Sequence, residues 1–436
     1  MHNPPSQNRN QNHSIPTMHS VQTQTQTQLR DADHPREIRI VEVSPRDGLQ
    51  NIPTPIPTPT KLSLISRLAK TGLSSIEITS VVSPRKIPQL ADARDVLGSE
   101  VVQRLFSLSS PGSSLAKDGH KQRSGDGESA EGIPTSIRCP VLVPNLRGLE
   151  TALEYGVQEI AVIVSAGEGF SKANINCSVE EGLRRAVGVA SVAVEKGVAV
   201  RGYISCIFTD PLPRTPAEIT IPHSTIHHLT ATLLAAGCYE ISLGDTTGSG
   251  TPELTTSLLE YLTQPPSSST PSSISKHSPI PVSKLAAHFH DTSSLALSNV
   301  WAAYTAGVRV FDASVAGLGG CPFAPGAKGN VATEELVGMF ESKGVRTGVD
   351  RGVLEGVVGW IRDVLLLEEE KKGMEGGKGA DVGKEKEKER GDHELGRSIS
   401  NPISASTGMA STRSRLQESL SLHQRGWFAR PMGVND

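Results

Sequence analysis

Two histidines stand one residue apart, at His288 and His290, in a chain of 436 residues that holds only 13. They close the apolar run 284–290 (KLAAHFH), and Asp291-Thr292 follow at once. In a strand, residues i and i+2 share a face. Both imidazoles then point one way from the strand end, and Phe289 points the other. Two imidazoles on one face make a natural pair of ligands for a divalent metal. The ordinary alternative is two polar residues where a strand leaves the core.

Other chemically able residues also follow β-rich runs. The run 37–43 (EIRIVEV) leads into Arg46-Asp47-Gly48, and 74–80 (SSIEITS) carries Glu77. The run 238–244 (CYEISLG) leads into Asp245, and 308–316 (VRVFDASVA) into a glycine-rich stretch with Cys321 and Asn330. Each has a plain structural explanation by itself: Asp47 in a turn, Asp245 as a helix cap, Cys321 as a small buried apolar group. Together, Asp47, His288 and His290 offer one carboxylate and two imidazoles to a cation, and Asn330 an amide oxygen. A mixed nitrogen and oxygen set suits Mg²⁺, Mn²⁺ or Zn²⁺ acting as a Lewis acid. Arg46 beside it is a fixed cation for a carbonyl or enolate oxygen. Glycines at 317, 319, 320, 326 and 329 make 315–330 a mobile loop able to deliver the Cys321 thiol.

Positioning these groups requires a repeating frame. Further β-rich runs lie at 138–144, 159–165 and 198–205. Helical stretches separate the runs at 61–72, 145–156, 179–197, 226–237 and 295–307. About eight β/α units over roughly 300 residues predict a (β/α)8 TIM barrel, in which active sites sit at the C-terminal strand ends. The catalytic domain is expected over 36–370, closed by a last amphipathic helix near 352–370. Two Ser/Pro/Gly-rich stretches, 107–134 and 263–282, break the rhythm and read as surface insertions. Residues 1–35 read as a disordered leader and 371–436 as a disordered tail.

Composition narrows the function classes. Hydrophobic content of 36% and aromatic content of 4% fit a real core diluted by polar segments. A net charge of −3 makes no electrostatic case for nucleic acid or an acidic membrane. Five scattered cysteines show no zinc spacing and no disulfide framework, which favours a reducing compartment. No apolar run approaches the roughly 18–20 residues needed to cross a bilayer. The first 30 residues lack Asp and Glu but hold only Arg9 and Arg30. A transit peptide would carry more arginine, so this reading leaves mitochondrial matrix and cytoplasm both open.

The motifs carry a resemblance. VEVSPRDGLQN (41–51), IEITSVVSPRKIPQ (76–89), NINCS (174–178), GCYEISLGDTTGSGTP (237–252), HFHDT (288–292) and SVAGLGGCPFAPGAKGNVATEELV (314–337) closely resemble the 3-hydroxy-3-methylglutaryl-CoA lyase family. The likeness covers about 36–370 apart from the two insertions, and the Cys321 loop is its most specific part. Related metal-dependent barrel enzymes of the Claisen type, isopropylmalate and homocitrate synthases and carboxyltransferase domains, share the Arg-Asp and His-x-His features but lack GLGGCPFA. The resemblance implies cleavage of 3-hydroxy-3-methylglutaryl-CoA to acetyl-CoA and acetoacetate in leucine breakdown. It implies a divalent metal, an acyl-CoA substrate and a homodimer. Metal ligands would be Asp47, His288, His290 and Asn330; catalytic positions would be Arg46, Asp47, Glu77, Asp245, His288 and Cys321. The general base stays unassigned.

Departures are present. Phe289 stands where the family usually has Cys, Ser293-Ser294 replace Tyr-Gly, and Ser44 replaces Gly before Pro45-Arg46. Phe289 is expected to face the core. The serines lie nearer the substrate, so a close acyl-CoA analogue remains an alternative substrate. A related synthase or aldolase and an inactive scaffold are the competing readings. The C-terminal MGVND is not a peroxisomal signal.

Overall fold

The computed structural model describes residues 37–109, 136–265, 277–320 and 329–378. Eight strands form one sheet: β1 (Arg39–Glu42), β2 (Thr79–Ser80), β3 (Val141–Leu142), β4 (Glu159–Ser165), β5 (Ala199–Ser205), β6 (Glu240–Asp245), β7 (Leu285–Phe289) and β8 (Val310–Ala313). Their order is β1-β8-β7-β6-β5-β4-β3-β2, and every pairing is parallel. The two ends meet. Glu42 donates its N–H to Ser75 O at 3.0 Å, and Glu77 donates to Glu42 O at 2.9 Å. The fold is the expected (β/α)8 barrel.

The crossover helices are written locally. Ser178 Oγ accepts from Glu181 N at 3.2 Å and starts the helix Val179–Glu195. That helix ends at Gly197, whose φ of 76° turns the chain toward β5. Thr251 Oγ1 accepts from Leu254 N at 3.3 Å and, with Pro252 beside it, starts Pro252–Thr263.

Alternation divides the strands into two faces. Val200 and Ile204 of β5 join the large apolar layer against the helices. Leu142, Ala161 and Tyr203 form a separate small cluster with Ile163 on the opposite face. That inner face also carries polar groups. Arg201, Ser242 and Asp312 are all buried there. Such an interior departs from the branched apolar layers usual in this architecture.

Several boundaries differ from the sequence expectations. The second and third strands are shorter than 74–80 and 138–144; around their short ladders lie isolated bridges at Glu42↔Ile76 and Ser75↔Arg138. Pro140 and Pro144 have no N–H to give a ladder. Helices Ala93–Gly98, Glu100–Ser109, Glu168–Ile175, Pro252–Thr263 and Thr333–Ser342 were not anticipated. Helix Glu100–Ser109 runs into the first polar stretch, and the last helix spans Arg351–Lys378. In 263–282, Ile280 is buried and donates its N–H to Leu262 O at 2.8 Å, so the end of that stretch packs on the barrel. The leader and most of the tail lie outside the described residues. No described helix is long and apolar enough to cross a membrane.

Candidate active site and metal centre

The chain leaves β1 through one tight turn, Ser44–Gly48. Val43 O accepts the N–H groups of Arg46, Asp47 and Gly48 at 3.2, 2.8 and 3.2 Å. This turn fixes where the Arg46 and Asp47 side chains start. The Arg46 guanidinium is buried and forks: Nε and NH2 reach Glu77 Oε2 at 2.8 and 2.7 Å, and NH1 reaches Asp47 Oδ1 at 2.7 Å. Asn330 Nδ2 donates to Asp47 Oδ2 at 2.7 Å and to Leu318 O at 3.1 Å. Gly319 lies against that amide with φ 116°; a Cβ there would stand 2.6 Å from Asn330 Nδ2. Only glycine fits the close approach.

His288 and His290 arrive from β7. Their rings are 5.5 Å apart between centroids, and Phe289 is buried in the core on the other face, as alternation predicted. His288 Nε2 lies 4.0 Å from Asp47 Oδ2, and Nδ1 lies 3.2 Å from Asp312 Oδ2. One possible ligand atom from each of Asp47, His288 and His290 falls within 4.8 Å of the others. Among the described residues, His290 Nδ1 is buried without a hydrogen-bond partner.

The electrostatics suit a cation. Burial, then the His288 charge, push His290 down to about 4, so its ring is neutral at physiological pH and its lone pair is free. Burial would raise Asp47, but Arg46 and His288 hold it below the ordinary carboxylate value. Burial would lower His288, yet the Asp312 hydrogen bond and charge, with Asp47, hold it above the ordinary imidazole value. One carboxylate, one free neutral imidazole and one imidazole anchored by a carboxylate fit a divalent ion. Asn330 turns its nitrogen to Asp47; its oxygen is the atom a cation would take.

The remaining expected residues are placed differently. Burial raises Glu77, and Arg46 opposes that shift; Glu77 Oε1 has no partner among the described residues. Asp245 is engaged by its own loop, accepting from Gly250 N at 2.8 Å, Thr247 Oγ1 at 3.2 Å and Ser249 N at 3.3 Å. The helix cap that follows is Thr251, not Asp245. Cys321 lies outside the described residues.

Sequence reasoning missed Arg201, Tyr203, Ser242 and Asp312. Arg201 holds Asp312 through NH1 at 3.1 Å and NH2 at 2.7 Å. The Tyr203 ring lies 5.5 Å from Arg46 Cζ and 4.8 Å from Arg201 Cζ, and meets His288 edge-on at 6.1 Å. Its buried hydroxyl has no partner among the described residues. A signal was available: charged residues sit inside the apolar runs VAVRGYIS and VRVFDASVA. A charge in mid-strand needs a partner across the barrel.

Comparison with known proteins gives the family. The HMGL-like family model matches residues 37–357. The chain belongs to the HMGL-like family. Within it, the chain is 43% identical over 316 residues to the cytoplasmic 3-hydroxy-3-methylglutaryl-CoA lyase of Rattus norvegicus, covering 72% of this chain and 78% of that protein. It is 42% identical over 320 residues to the mitochondrial hydroxymethylglutaryl-CoA lyase of Arabidopsis thaliana, covering 73% of this chain and 58% of that longer protein. The crystal structure of the Bacillus subtilis HMG-CoA lyase superposes with a TM-score of 0.62 at 36% identity, covering 76% of this chain and 95% of that one. An Acinetobacter baumannii HMG-CoA lyase in complex with coenzyme A and 3-methylmalate superposes at 0.60 with 31% identity, covering 76% and 92% of the two chains.

Proposed function

We propose that this chain is a hydroxymethylglutaryl-CoA lyase, a carbon–carbon lyase that converts 3-hydroxy-3-methylglutaryl-CoA to acetyl-CoA and acetoacetate. The observation that carries the reading is the convergence of Asp47, His288 and His290 beside the Arg46–Glu77 pair, in a chain about 40% identical to lyases of that name. The coenzyme A complex of the Acinetobacter relative supports an acyl-CoA substrate.

The chemistry balances on these groups. The C3 hydroxyl loses its proton, its oxygen becomes the ketone of acetoacetate, and the C2–C3 bond breaks. The electron pair leaves with C2 as a thioester enolate, which is protonated to acetyl-CoA. A divalent cation held by Asp47, His288, His290 and the Asn330 oxygen would supply Lewis acidity to the hydroxyl and acyl oxygens. The reading takes Mg²⁺ or Mn²⁺ for the carboxylate and amide oxygens, with Zn²⁺ the alternative that the two imidazoles also suit.

Arg46 is buried at the rim, where its charge offsets the enolate oxygen. Glu77 keeps that guanidinium in place. Asp312 holds His288 at Nδ1, which leaves Nε2 as the nitrogen that would face the cation. Asp245 orders the loop after β6 at the same rim. Cys321 enters on its motif alone, as the thiol that handles a proton after cleavage. The relatives' names, one mitochondrial and one cytoplasmic, support a location in the mitochondrial matrix or the cytoplasm; a homodimer is part of the same proposal.

The test is acetoacetate release from 3-hydroxy-3-methylglutaryl-CoA by the full chain, stripped with chelator and resupplied with Mg²⁺ or Mn²⁺. Metal-dependent release is expected. No release from this substrate, with turnover of another acyl-CoA, would replace the substrate. No turnover of any acyl-CoA would leave the scaffold reading.

A further inference from the structure

Asp312 is a carboxylate gripped from three strands. Its Oδ1 takes Arg201 NH2 at 2.7 Å, from β5. Its Oδ2 takes Arg201 NH1 at 3.1 Å, Ser242 Oγ of β6 at 2.8 Å, and His288 Nδ1 of β7 at 3.2 Å. Asp312 is 2% exposed and Arg201 is fully buried. Arg201 is held in turn, giving Nε to Glu240 Oε1 at 2.9 Å. The strand register sets up the meeting, because His288 lies directly across from Asp312 in the β7–β8 ladder.

A carboxylate held at both oxygens cannot turn. The oxygen that faces β7 therefore has one place, and an ionised carboxylate there only accepts. The ring nitrogen against it must carry the hydrogen. Nε2 then becomes the open nitrogen of His288, and it faces Asp47. His290 is the contrast. Its Nδ1 has no partner among the described residues, so no comparable contact orients that ring.

We infer that Asp312, locked by Arg201 and Ser242, is a positioning residue that fixes the His288 ring with Nε2 presented to the Asp47–His290 cluster. The inference rests on reading that cluster as a metal site. Partners of this kind behind a ligating histidine typically change metal affinity about 10–100-fold when removed.

The experiment uses the full chain and two readouts that need no substrate. The first is the ¹⁵N signature of the His288 ring in its neutral form, identified by its loss in His288→Gln. The wild-type ring should carry its hydrogen on Nδ1; a hydrogen on Nε2 overturns the inference. The second is Mn²⁺ affinity by paramagnetic-resonance titration. Asp312→Asn should weaken it about 10–100-fold and mix the two ring tautomers. Ser242→Ala removes one grip, keeps the Arg201–Asp312 pair, and should move affinity the same way by a smaller factor. A folded Asp312→Asn with wild-type affinity and an unchanged ring overturns the inference.

If Asp312→Asn does not fold, the wild-type ring and Ser242→Ala decide. A wild-type chain that binds no Mn²⁺ sinks the metal reading, and the ring measurement still decides the positioning role. A wild-type chain that binds Mn²⁺ but releases no acetoacetate sinks the lyase reading and leaves both of these readouts standing.

Discussion

Arg46 gives two guanidinium nitrogens to a single oxygen of Glu77, at 2.8 and 2.7 Å, while its third reaches Asp47 at 2.7 Å. The turn after β1 is thereby tied to the segment before β2. One planar fork serves two carboxylates, and a point charge cannot reproduce that geometry.

Arg46→Lys should therefore fold and fail. Losing a group that stabilises developing negative charge lowers turnover by about 10²–10³-fold. Circular dichroism and the rate of acetoacetate release check this. A lysine variant within tenfold of the wild-type rate would remove the guanidinium from the proposed role.

His290→Ala should lose metal and keep its shape. No described residue hydrogen-bonds the His290 Nδ1 atom, so truncation orphans no partner there. Thermal unfolding without metal should fall by no more than several degrees, in keeping with a change of roughly 0.5–3 kcal/mol for a single substitution at a buried position. Calorimetric titration with Mn²⁺ should show greatly weakened binding. Full activity after chelation and metal add-back would make the ligand assignment wrong.

Asn330→Asp should make the metal-free protein depend on a cation. The substitution replaces the donor at 2.7 Å from Asp47 Oδ2 with a second acceptor, which also faces Leu318 O. Two carboxylates at that range repel. The metal-free melting temperature should drop by several degrees, and Mg²⁺ should restore more of it than it adds to the wild type. Equal gains in both proteins would count against Asn330 facing the cation site.

Glu42→Gln should flatten the pH dependence of stability. Glu42 Oε1 accepts from Ser44 N and Val315 N, both at 3.0 Å, and Oε2 from Thr333 Oγ1 at 2.7 Å. Burial raises this carboxyl above its ordinary 4.5, with the hydrogen bonds opposing. A raised folded value means that its stabilising share is fully present below 4.5 and is lost as pH rises through the folded value. Glutamine keeps an oxygen for both N–H groups and offers its amide to the Thr333 hydroxyl. Melting curves between roughly pH 4 and 8 should show wild type losing ground to Glu42→Gln as pH rises. Parallel curves would show that Glu42 does not titrate in this window.

The barrel and the rim were legible because both are periodic. Strand alternation placed His288 and His290 on one face and Phe289 on the other, and the structure has them there. The rule that active sites lie at strand ends gathered Arg46, Asp47, Glu77 and Asn330 as well. It had no power over the strand interiors, so Arg201, Ser242 and Asp312 went unread. Their pairing depends on which strand lies across from which, and that is a property of the closed sheet. Two of the missed short helices carry a glycine inside the pattern, Gly169 within Glu168–Ile175 and Gly338 within Thr333–Ser342.

The ring is closed by pairing the first strand with the last, Arg39–Glu42 against Val310–Ala313. During synthesis the ribosome emits Asp47 long before His288, and β8 later still. A nascent chain holds the carboxylate end of the cation site for most of its translation with nothing to complete it. On the proposed metal reading, a cation would be held only once β7 has joined the barrel, and a truncated translation product ending before β7 would have no imidazole pair with which to retain it.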